Sequence, residues 1–319
     1  MKNLNKKEIN IVAYHYVREI KNSKYPNIKG IEFNIFKKQI KFFKKKFDII
    51  SADDFVEIIE TKKIINHKKP LLLLTFDDGY KDHYNYVFPT LIDEKITGCF
   101  YPPIKIFNGD VLDVNKIHYI LEKFDDKKIL LDEILLYLKN EFEINIKSLV
   151  NKKNRLHNFK VPEYDDHHTI IIKKILNKIL PLVISRKTCN HFFKKYVNSN
   201  LKTFSKELYI SSKNLKEMSD NNMHIGSHGV NHLLWNTLNE QEQEKEIVNS
   251  KRFFKKKLIN LKNFSVCFPW GSYNSSSVKI LKKRKVKFAL TSNSGNIFFG
   301  KRYNRFTLPR YDANEFLDV

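Results

Sequence analysis

The chain has 319 residues, of which 42% are hydrophobic and 25 are phenylalanine, so it is long enough to bury a sizeable core. It contains no apolar run near the roughly 18 residues of a membrane span, and its N-terminus lacks the apolar core of a secretory signal, so we expect a cytoplasmic protein. The formal charge of +23 comes from lysines spread over nearly every segment, which favours a compositional bias over a nucleic-acid groove and leaves peripheral contact with an anionic membrane surface open.

Strands and helices alternate in the first third of the chain. Residues 9–15, 71–76 and 96–103 have the apolar, β-branched or aromatic composition of strands. Helical spacing separates the first two, and Ser51 with Asp54 resembles a capping box that opens a helix. This alternation predicts parallel strand–helix units.

The pattern changes between residues 104 and 210, where successive segments all have the spacing of amphipathic helices. Strands and helices then alternate again, with strands predicted at 223–228, 264–269 and 287–292. We therefore predict one barrel-like α/β domain made of 1–103 and 211–319, interrupted by a helical insertion. We expect this insertion, 104–210, to cover the active-site face.

Two adjacent aspartates, Asp77 and Asp78, follow the buried strand LLLLTF directly. Neighbouring carboxylates repel each other and are costly to desolvate, so such a pair indicates a bound cation or a proton-transfer role. The three cysteines are far apart and in no CxxC spacing, which indicates neither a disulfide framework nor a thiolate zinc site.

Two further polar clusters follow predicted strands. In IGSHGVNH, His228 and His232 are four residues apart, a spacing that brings two imidazoles to one face of a helical turn. By itself this spacing is a weak signal and is more often found in surface or core histidines than in metal ligands. In FPWGSY, Pro269 and Gly271 flank Trp270 in a tight turn, either an ordinary turn with a packed indole or one whose N–H faces a site. Clusters at the carboxyl ends of barrel strands converge on one face.

The motifs TFDDGY, SHGVNH, FPWGSY and TLPRY, in that order, together with YHYV near the start, resemble those of the NodB-type polysaccharide deacetylases. The resemblance covers most of the chain outside the insertion. It implies a distorted (β/α) barrel of the NodB-homology type with an inserted helical subdomain. It also implies hydrolysis of an N-acetyl group, or of an O-acetyl ester, on a sugar.

Carried over residue by residue, the resemblance makes Asp77 the general base. It makes Asp78, His228 and His232 the ligands of a divalent metal, for which Zn²⁺ is expected and Co²⁺ or Ni²⁺ also suit the donor set. It also implies that Trp270, Pro269 and Tyr80 contact the substrate or the oxyanion.

The sequence departs from the family pattern at two places. Cys267 stands where many members have an arginine that orients the catalytic aspartate, and Arg310 of TLPRY is the candidate replacement from another strand end. The late histidine that protonates the leaving amine is also missing. His15 is our candidate for that acid, with His118 and Asp312 as alternatives.

We therefore predict a cytoplasmic, metal-dependent deacetylase of an N-acetylated sugar, carried on a nucleotide or lipid in surface-polysaccharide assembly. The expected partner is the acetylated carbohydrate, without nucleic acid and without an obligate protein partner. The alternative is a carbohydrate-binding relative that retains the fold but not turnover.

Overall fold

The computed structural model describes residues 8–63, 67–145, 165–198, 200–298 and 301–317. The chain divides into two compact units. The first comprises Met1–Asn22, Lys29–Asp110 and Ser205–Val319, and the second comprises Ser23–Ile28 and Val111–Phe204. Two parts of the predicted insertion, residues 146–164 and residue 199, lie outside the described residues. Among the residues that are described, no helix is both long and apolar enough to cross a bilayer.

Two of the strands have seven residues each, and the others have two or three. In chain order they are β1 Glu8–Tyr14, β2 Val17–Arg18, β3 Ile31–Glu32, β4 Asp48–Ile49, β5 Leu71–Asp77, β6 Cys99–Tyr101, β7 His224–Ile225, β8 Val266–Cys267, β9 Ala289–Leu290, β10 Ile297–Phe298 and β11 Tyr311–Asp312. Four predicted strands are therefore correctly located but longer than the strands observed: 96–103, 223–228, 264–269 and 287–292.

The α-helices connect these strands in the first unit and make up the second. They are α1 Phe33–Lys46, α2 Ala52–Thr61, α3 Phe88–Asp93, α4 Asp113–Glu122, α5 Lys127–Phe142, α6 His167–Lys174, α7 Leu182–Tyr196, α8 Leu201–Leu208, α9 Ser212–Asp220, α10 Glu240–Lys256 and α11 Ser275–Lys283. One-turn π-helices, His83–Val87 and Ile175–Ile179, adjoin α3 and α6.

The central sheet has the order β10-β1-β5-β6-β7, with β11 paired to β1 and β4 paired to β5. Its pairs are parallel except that of β1 with β10, and the β1–β5 register runs from Ile9 opposite Leu71 to Tyr14 opposite Phe76. The parallel pair β8–β9 continues from β7 through a bridge between Ser227 and Val266. The predicted distorted (β/α) barrel is therefore confirmed.

Strand β5 is buried on both of its faces, because all seven of its residues are buried. Leu71 and Leu73 belong to a core cluster that also contains Phe55 of α2 and Phe288. On the other face, the ring of Phe76 stacks on those of Tyr14 and Phe100 with centroid distances of 5.1 and 4.8 Å. Burial on both faces explains the unbroken apolar run LLLLTF, as in other parallel sheets covered by helices.

Helix α2 begins at the predicted capping box. The Ser51 hydroxyl accepts the N–H of Asp54, and the Asp54 carboxylate accepts the N–H of Ser51. The helix then packs Phe55 edge-on against Phe288, with ring centroids 4.9 Å apart. The capping box confirms that local sequence determines where this helix begins.

The second unit is helical and has its own apolar core. The aromatic rings of Tyr25, Tyr119, Phe193 and Phe204 contact one another in edge-to-face pairs. Tyr25 comes from the short segment Ser23–Ile28, which the sequence does not predict to join this unit. The expectation that the insertion covers the active-site face stays a prediction.

Candidate metal centre

Asp77 is the last residue of β5 and is 1% exposed. Both of its carboxylate oxygens accept hydrogen bonds from the Arg310 guanidinium, Oδ1 from Nη1 at 3.0 Å and Oδ2 from Nη2 at 2.7 Å. Burial alone would raise the pKa of Asp77, but the charge and hydrogen bonds of Arg310, together with the nearby His228 and His15, outweigh burial and hold that pKa well below its usual range. Asp77 is therefore an ionised carboxylate whose orientation is set by a bidentate ion pair.

Arg310 reaches Asp77 from just before β11, and its other donors are also engaged. Nη1 donates to the Thr75 hydroxyl at 3.0 Å, and Nε donates to the Thr291 carbonyl at 2.9 Å. The guanidinium is thus anchored to Thr75 of β5 and to Thr291, the residue after β9, beside its partner carboxylate. The structure places Arg310 where the sequence hypothesis requires it.

Cys267 lies at the end of β8, and its buried thiol donates to Oδ2 of Asp77 at 3.4 Å. Burial raises the pKa of Cys267 well above its usual value, so the side chain is a neutral thiol beside the carboxylate. Because a thiol is much smaller than a guanidinium, Cys267 leaves room beside Asp77 for the side chain of Arg310.

Asp78 follows in a left-handed conformation, with φ of 69°, and Gly79 continues the turn with φ of 68°. This turn directs the two aspartates to different partners. Oδ2 of Asp78 accepts the Tyr80 hydroxyl at 2.7 Å, whereas the buried Oδ1 has no hydrogen-bond partner among the described residues. A buried carboxylate oxygen without a partner is costly unless a cation or a proton occupies that position.

Both histidines of the second motif face that oxygen. Nε2 of His228 is 3.6 Å from Oδ1 of Asp78, and Nε2 of His232 is 3.4 Å from it. Nδ1 of His228 lies 2.7 Å from the Cys267 carbonyl oxygen, which can only accept, so Nδ1 carries the proton and Nε2 has the free lone pair. Burial lowers the pKa of His232 to about 4, so this ring is neutral near pH 7.

The expectation of a helical turn across the two histidines is wrong. Residues 228–232 form an irregular loop, with φ of 76° at Gly229 and 54° at His232. The imidazoles converge because of this bend and not because of helical periodicity. Their ring centroids are 4.8 Å apart.

A divalent cation fits the residues present. One ligand atom from each of Asp78, His228 and His232 lies within 4.8 Å of the others. The set combines an unpartnered carboxylate oxygen with two imidazole lone pairs, donors that suit Zn²⁺ and related ions. Asp77 is adjacent and paired with Arg310 instead.

His15 lies just after β1, and its Nε2 is 3.9 Å from Oδ2 of Asp77. Its side chain is 47% exposed, unlike the buried groups around it, so it is accessible from solvent. The buried His83 holds the backbone here, because its Nε2 lies 2.7 Å from the His15 carbonyl oxygen and must donate to it. His15 is thus positioned next to the candidate base.

The other two candidates for the acid have different surroundings. His118 lies on α4 in the second unit. Asp312 caps the short 3₁₀-helix Ala313–Phe316, and its carboxylate accepts the backbone N–H and side-chain amide of Asn314 at 2.8 and 2.7 Å. A carboxylate engaged in a cap has a structural role, so the geometry favours His15 over Asp312.

The third motif forms the tight turn that its sequence predicts. Pro269 is buried, Trp270 has φ of 59° and is 39% exposed, and Gly271 has φ of 64°. The Trp270 ring is 5.9 Å from that of His232, so an apolar surface lies beside the candidate metal ligands. Tyr80, predicted to contact substrate, is fully buried and donates to Asp78, a geometry that favours positioning of that carboxylate.

Sequence reasoning missed two residues that support the site. His83 has the backbone contact with His15, and Glu246 of α10 accepts hydrogen bonds from the loop between the two histidines. A histidine and a glutamate within helical segments have no distinctive local pattern. Their partners lie 68 and 15 or 16 positions away in the chain.

Fold and site together define an α/β barrel protein with a candidate divalent-metal centre at the carboxyl ends of its strands. The family model for polysaccharide deacetylases matches residues 164–289. YxkH of Bacillus subtilis (strain 168), which bears the name of a polysaccharide deacetylase, is 27% identical over 94 residues, or 30% of this chain. This match spans only about a third of that relative, 33% of its length.

Solved structures share the fold over nearly the whole chain. The Streptococcus pyogenes deacetylase PplD, in complex with acetate, has a TM-score of 0.59 at 15% identity, covering 97% of this chain and 93% of that one. A de-N-acetylase from Aggregatibacter actinomycetemcomitans has a TM-score of 0.54 at 14% identity, and the match covers 95% of this chain and 94% of that one. IcaB from Ammonifex degensii has a TM-score of 0.55 at 12% identity, and the match covers 97% of this chain and 94% of that one. The chain is similar to polysaccharide deacetylases in sequence over residues 164–289 and in fold over nearly its whole length.

Proposed function

We propose that this protein is a metal-dependent hydrolase that removes acetyl groups from an N-acetylated sugar. The observation that carries the proposal is the division of labour between the two aspartates. Asp78 presents a buried, unpartnered oxygen to two imidazoles, while Asp77 beside it is held ionised by Arg310. A ligand carboxylate next to a separate base carboxylate is the arrangement that hydrolysis of an amide by activated water requires.

Asp78, His228 and His232 would hold the cation. A bound divalent ion supplies Lewis acidity toward a carbonyl oxygen and makes a water molecule more acidic. Asp77, which is ionised throughout the neutral range, accepts the proton of the attacking water. His15, 3.9 Å from Asp77 and half exposed, then donates a proton to the departing amine.

The substrate we propose is an N-acetylated sugar carried on a nucleotide or a lipid, processed in the cytoplasm. The family match supports a carbohydrate substrate, and the name of the Aggregatibacter neighbour supports removal of an N-acetyl group. Exposed Trp270 offers a ring on which a sugar can stack. The charge of +23 is compatible with phosphate-bearing substrates and with contact at an anionic membrane surface.

The test is acetate release from a panel of acetylated nucleotide sugars and lipid-linked sugars, by protein stripped with a chelator and then resupplied with Zn²⁺. We expect release only with the metal. Asp77→Asn should abolish release and still bind Zn²⁺, whereas Asp78→Asn should lose both. Asp220→Asn, which removes an exposed carboxylate paired with Lys216, is the matched control and should leave release unchanged.

Two outcomes contradict the proposal. Release that persists in the chelated protein, or in Asp77→Asn, would show that the assigned groups do not perform the reaction. Sugar binding without acetate release from any substrate of the panel would instead support the non-catalytic carbohydrate-binding alternative.

A further inference from the structure

The segment that carries both histidines, residues 228–232, is named here the ligand loop. It has no helical or strand hydrogen bonding, and it contains left-handed backbone at Gly229 and at His232. A left-handed conformation is disfavoured at a residue with a side chain, because Cβ then lies too close to the carbonyl oxygen. Contacts from outside the ligand loop must therefore hold it in this shape.

Two such contacts are the backbone N–H groups of Ile104 and Lys105, which donate to the carbonyls of Gly229 and Val230. Glu246 provides further contacts from α10. It is 5% exposed, and its Oε2 accepts the backbone N–H groups of Val230 and Asn231, the latter at 3.1 Å. Its Oε1 accepts the Asn231 side-chain amide at 2.9 Å. Three donors from between the two histidines thus converge on one carboxylate.

The packing around this carboxylate is close. A Cβ atom added at Gly229 would lie 2.7 Å from Oε2 of Glu246, so the carboxylate fits against bare backbone. One turn further along α10, the Ser250 hydroxyl accepts that of Ser227, and Ser227 in turn accepts the N–H of Gly229 at 3.0 Å. The same helix face therefore supports the ligand loop at Gly229 as well as at Val230 and Asn231.

We propose that Glu246 is a positioning residue that preorganises the ligand loop, so that Nε2 of His228 and of His232 face Asp78 before a cation binds. This inference rests on the proposed function. Without the carboxylate, two backbone N–H groups between the histidines would lose their acceptor, and the irregular backbone of the ligand loop would lose part of its support. Part of the metal-binding free energy would then be consumed in ordering the loop.

The experiment compares three variants of the full chain. Glu246→Leu removes both acceptor oxygens, and Glu246→Gln retains one. Gln243→Leu is the matched control, because Gln243 is also buried on α10 and hydrogen-bonds to Leu238 and Ser277 but not to the ligand loop. Zn²⁺ affinity is measured by competition with a chromogenic chelator, and hydrogen exchange of the Val230 and Asn231 amides is measured on metal-free protein.

We expect Glu246→Leu to weaken Zn²⁺ binding about tenfold and to accelerate exchange at both amides. Glu246→Gln should recover most of the affinity, and Gln243→Leu should lower thermal stability while changing neither readout. Equal Zn²⁺ affinity and equal exchange in Glu246→Leu and wild type would overturn the proposal.

Asn231→Ala covers the case in which Glu246→Leu does not fold. Asn231 is exposed, and this change removes only the side-chain contact with Glu246. It should accelerate exchange at Val230 and Asn231 to a smaller extent, and unchanged exchange would count against the proposal. Because hydrogen exchange is measured on metal-free protein, it tests the role of Glu246 even if wild-type protein does not bind Zn²⁺. Failure of wild-type protein to bind Zn²⁺ would instead contradict the proposed function.

Discussion

Arg310 donates to both carboxylate oxygens of Asp77, at 3.0 and 2.7 Å, across 233 positions of the chain. Both side chains are at least 95% buried, with 5% of Arg310 and 1% of Asp77 exposed. A buried pair of this kind contributes little net stability, but removal of one partner leaves the other charge uncompensated. The pair therefore matters more for the charge and orientation of Asp77 than for the stability of the fold.

Arg310→Gln should reduce acetate release about 100-fold near neutral pH, because Asp77 loses the bidentate contact that orients it. The pKa of Asp77 should rise, so the acidic limb of the kcat/KM profile should move to higher pH. Thermal unfolding is measured alongside, since an uncompensated buried carboxylate costs about 3–5 kcal/mol.

Arg305→Gln is the control for that substitution. Arg305 is an arginine of the same C-terminal segment, is partly exposed, and lies 3.8 Å from Glu60, outside the site. It should leave both the rate and the pH profile as in wild type. If the acidic limb of the kcat/KM profile of Arg310→Gln lies at the same pH as in wild type, Arg310 does not control the pKa of the catalytic base.

His15→Gln tests the assignment of the acid through its dependence on the leaving group. An amine leaves only when protonated, whereas an activated aryl acetate such as 4-nitrophenyl acetate leaves without protonation. We expect release from the N-acetyl sugar to fall about 100-fold or more, with a much smaller loss on the aryl ester. The same substitution at His118 should affect neither substrate, and equal losses on both substrates in His15→Gln would contradict the assignment.

The stability of the metal-free protein should depend on pH through three buried histidines. Burial lowers the pKa values of His83, His224 and His232 to about 4 in the folded state, against about 6.5 in an unfolded chain. Between these values the unfolded state binds more protons than the folded state. Stability is therefore fully present above about pH 6.5 and is lost as the pH falls toward about 4.

The measurement is the free energy of unfolding in urea, taken at intervals from about pH 7 to about pH 4. His224→Gln should flatten the profile, because it removes one of the three titrating groups and keeps a polar side chain near Ser265. Asp82 contributes with the opposite sign, because burial raises its pKa to about 6, so the decisive comparison is between His224→Gln and wild type. Identical profiles for the two proteins would show that the His224 ring titrates normally.

Gly271→Ala should destabilise the turn of the third motif by about 1–3 kcal/mol. The backbone there has φ of 64°, and an added Cβ would lie 2.6 Å from the Ser292 backbone nitrogen. Gly295→Ala is the comparison, because its φ is also positive but its nearest contact would be 3.6 Å away, on Pro309. Thermal unfolding should separate the two, and equal shifts would mean that the contact with Ser292 is relieved at no cost.

Much of the fold follows from local patterns. The run LLLLTF and the capping box at Ser51 each depend on neighbours within a few residues, and both occur in the structure as predicted. Strand ends were less predictable, because β7 and β8 are two residues long and end where pairing with a neighbouring strand ends. That limit depends on the partner strand and not on the segment itself.

The amino-acid sequence by itself determined the alternation of strands and helices and the side chains that follow each strand: Asp77 and Asp78, then His228 and His232. Only the tertiary structure decided that Asp77 takes its ion pair from Arg310, while Cys267 contributes a single thiol hydrogen bond. It also decided that Glu246 supports an irregular loop where helical spacing had predicted a turn of helix. Periodicity reports neighbours three or four positions apart, whereas these contacts depend on how distant segments pack together, which no local pattern specifies.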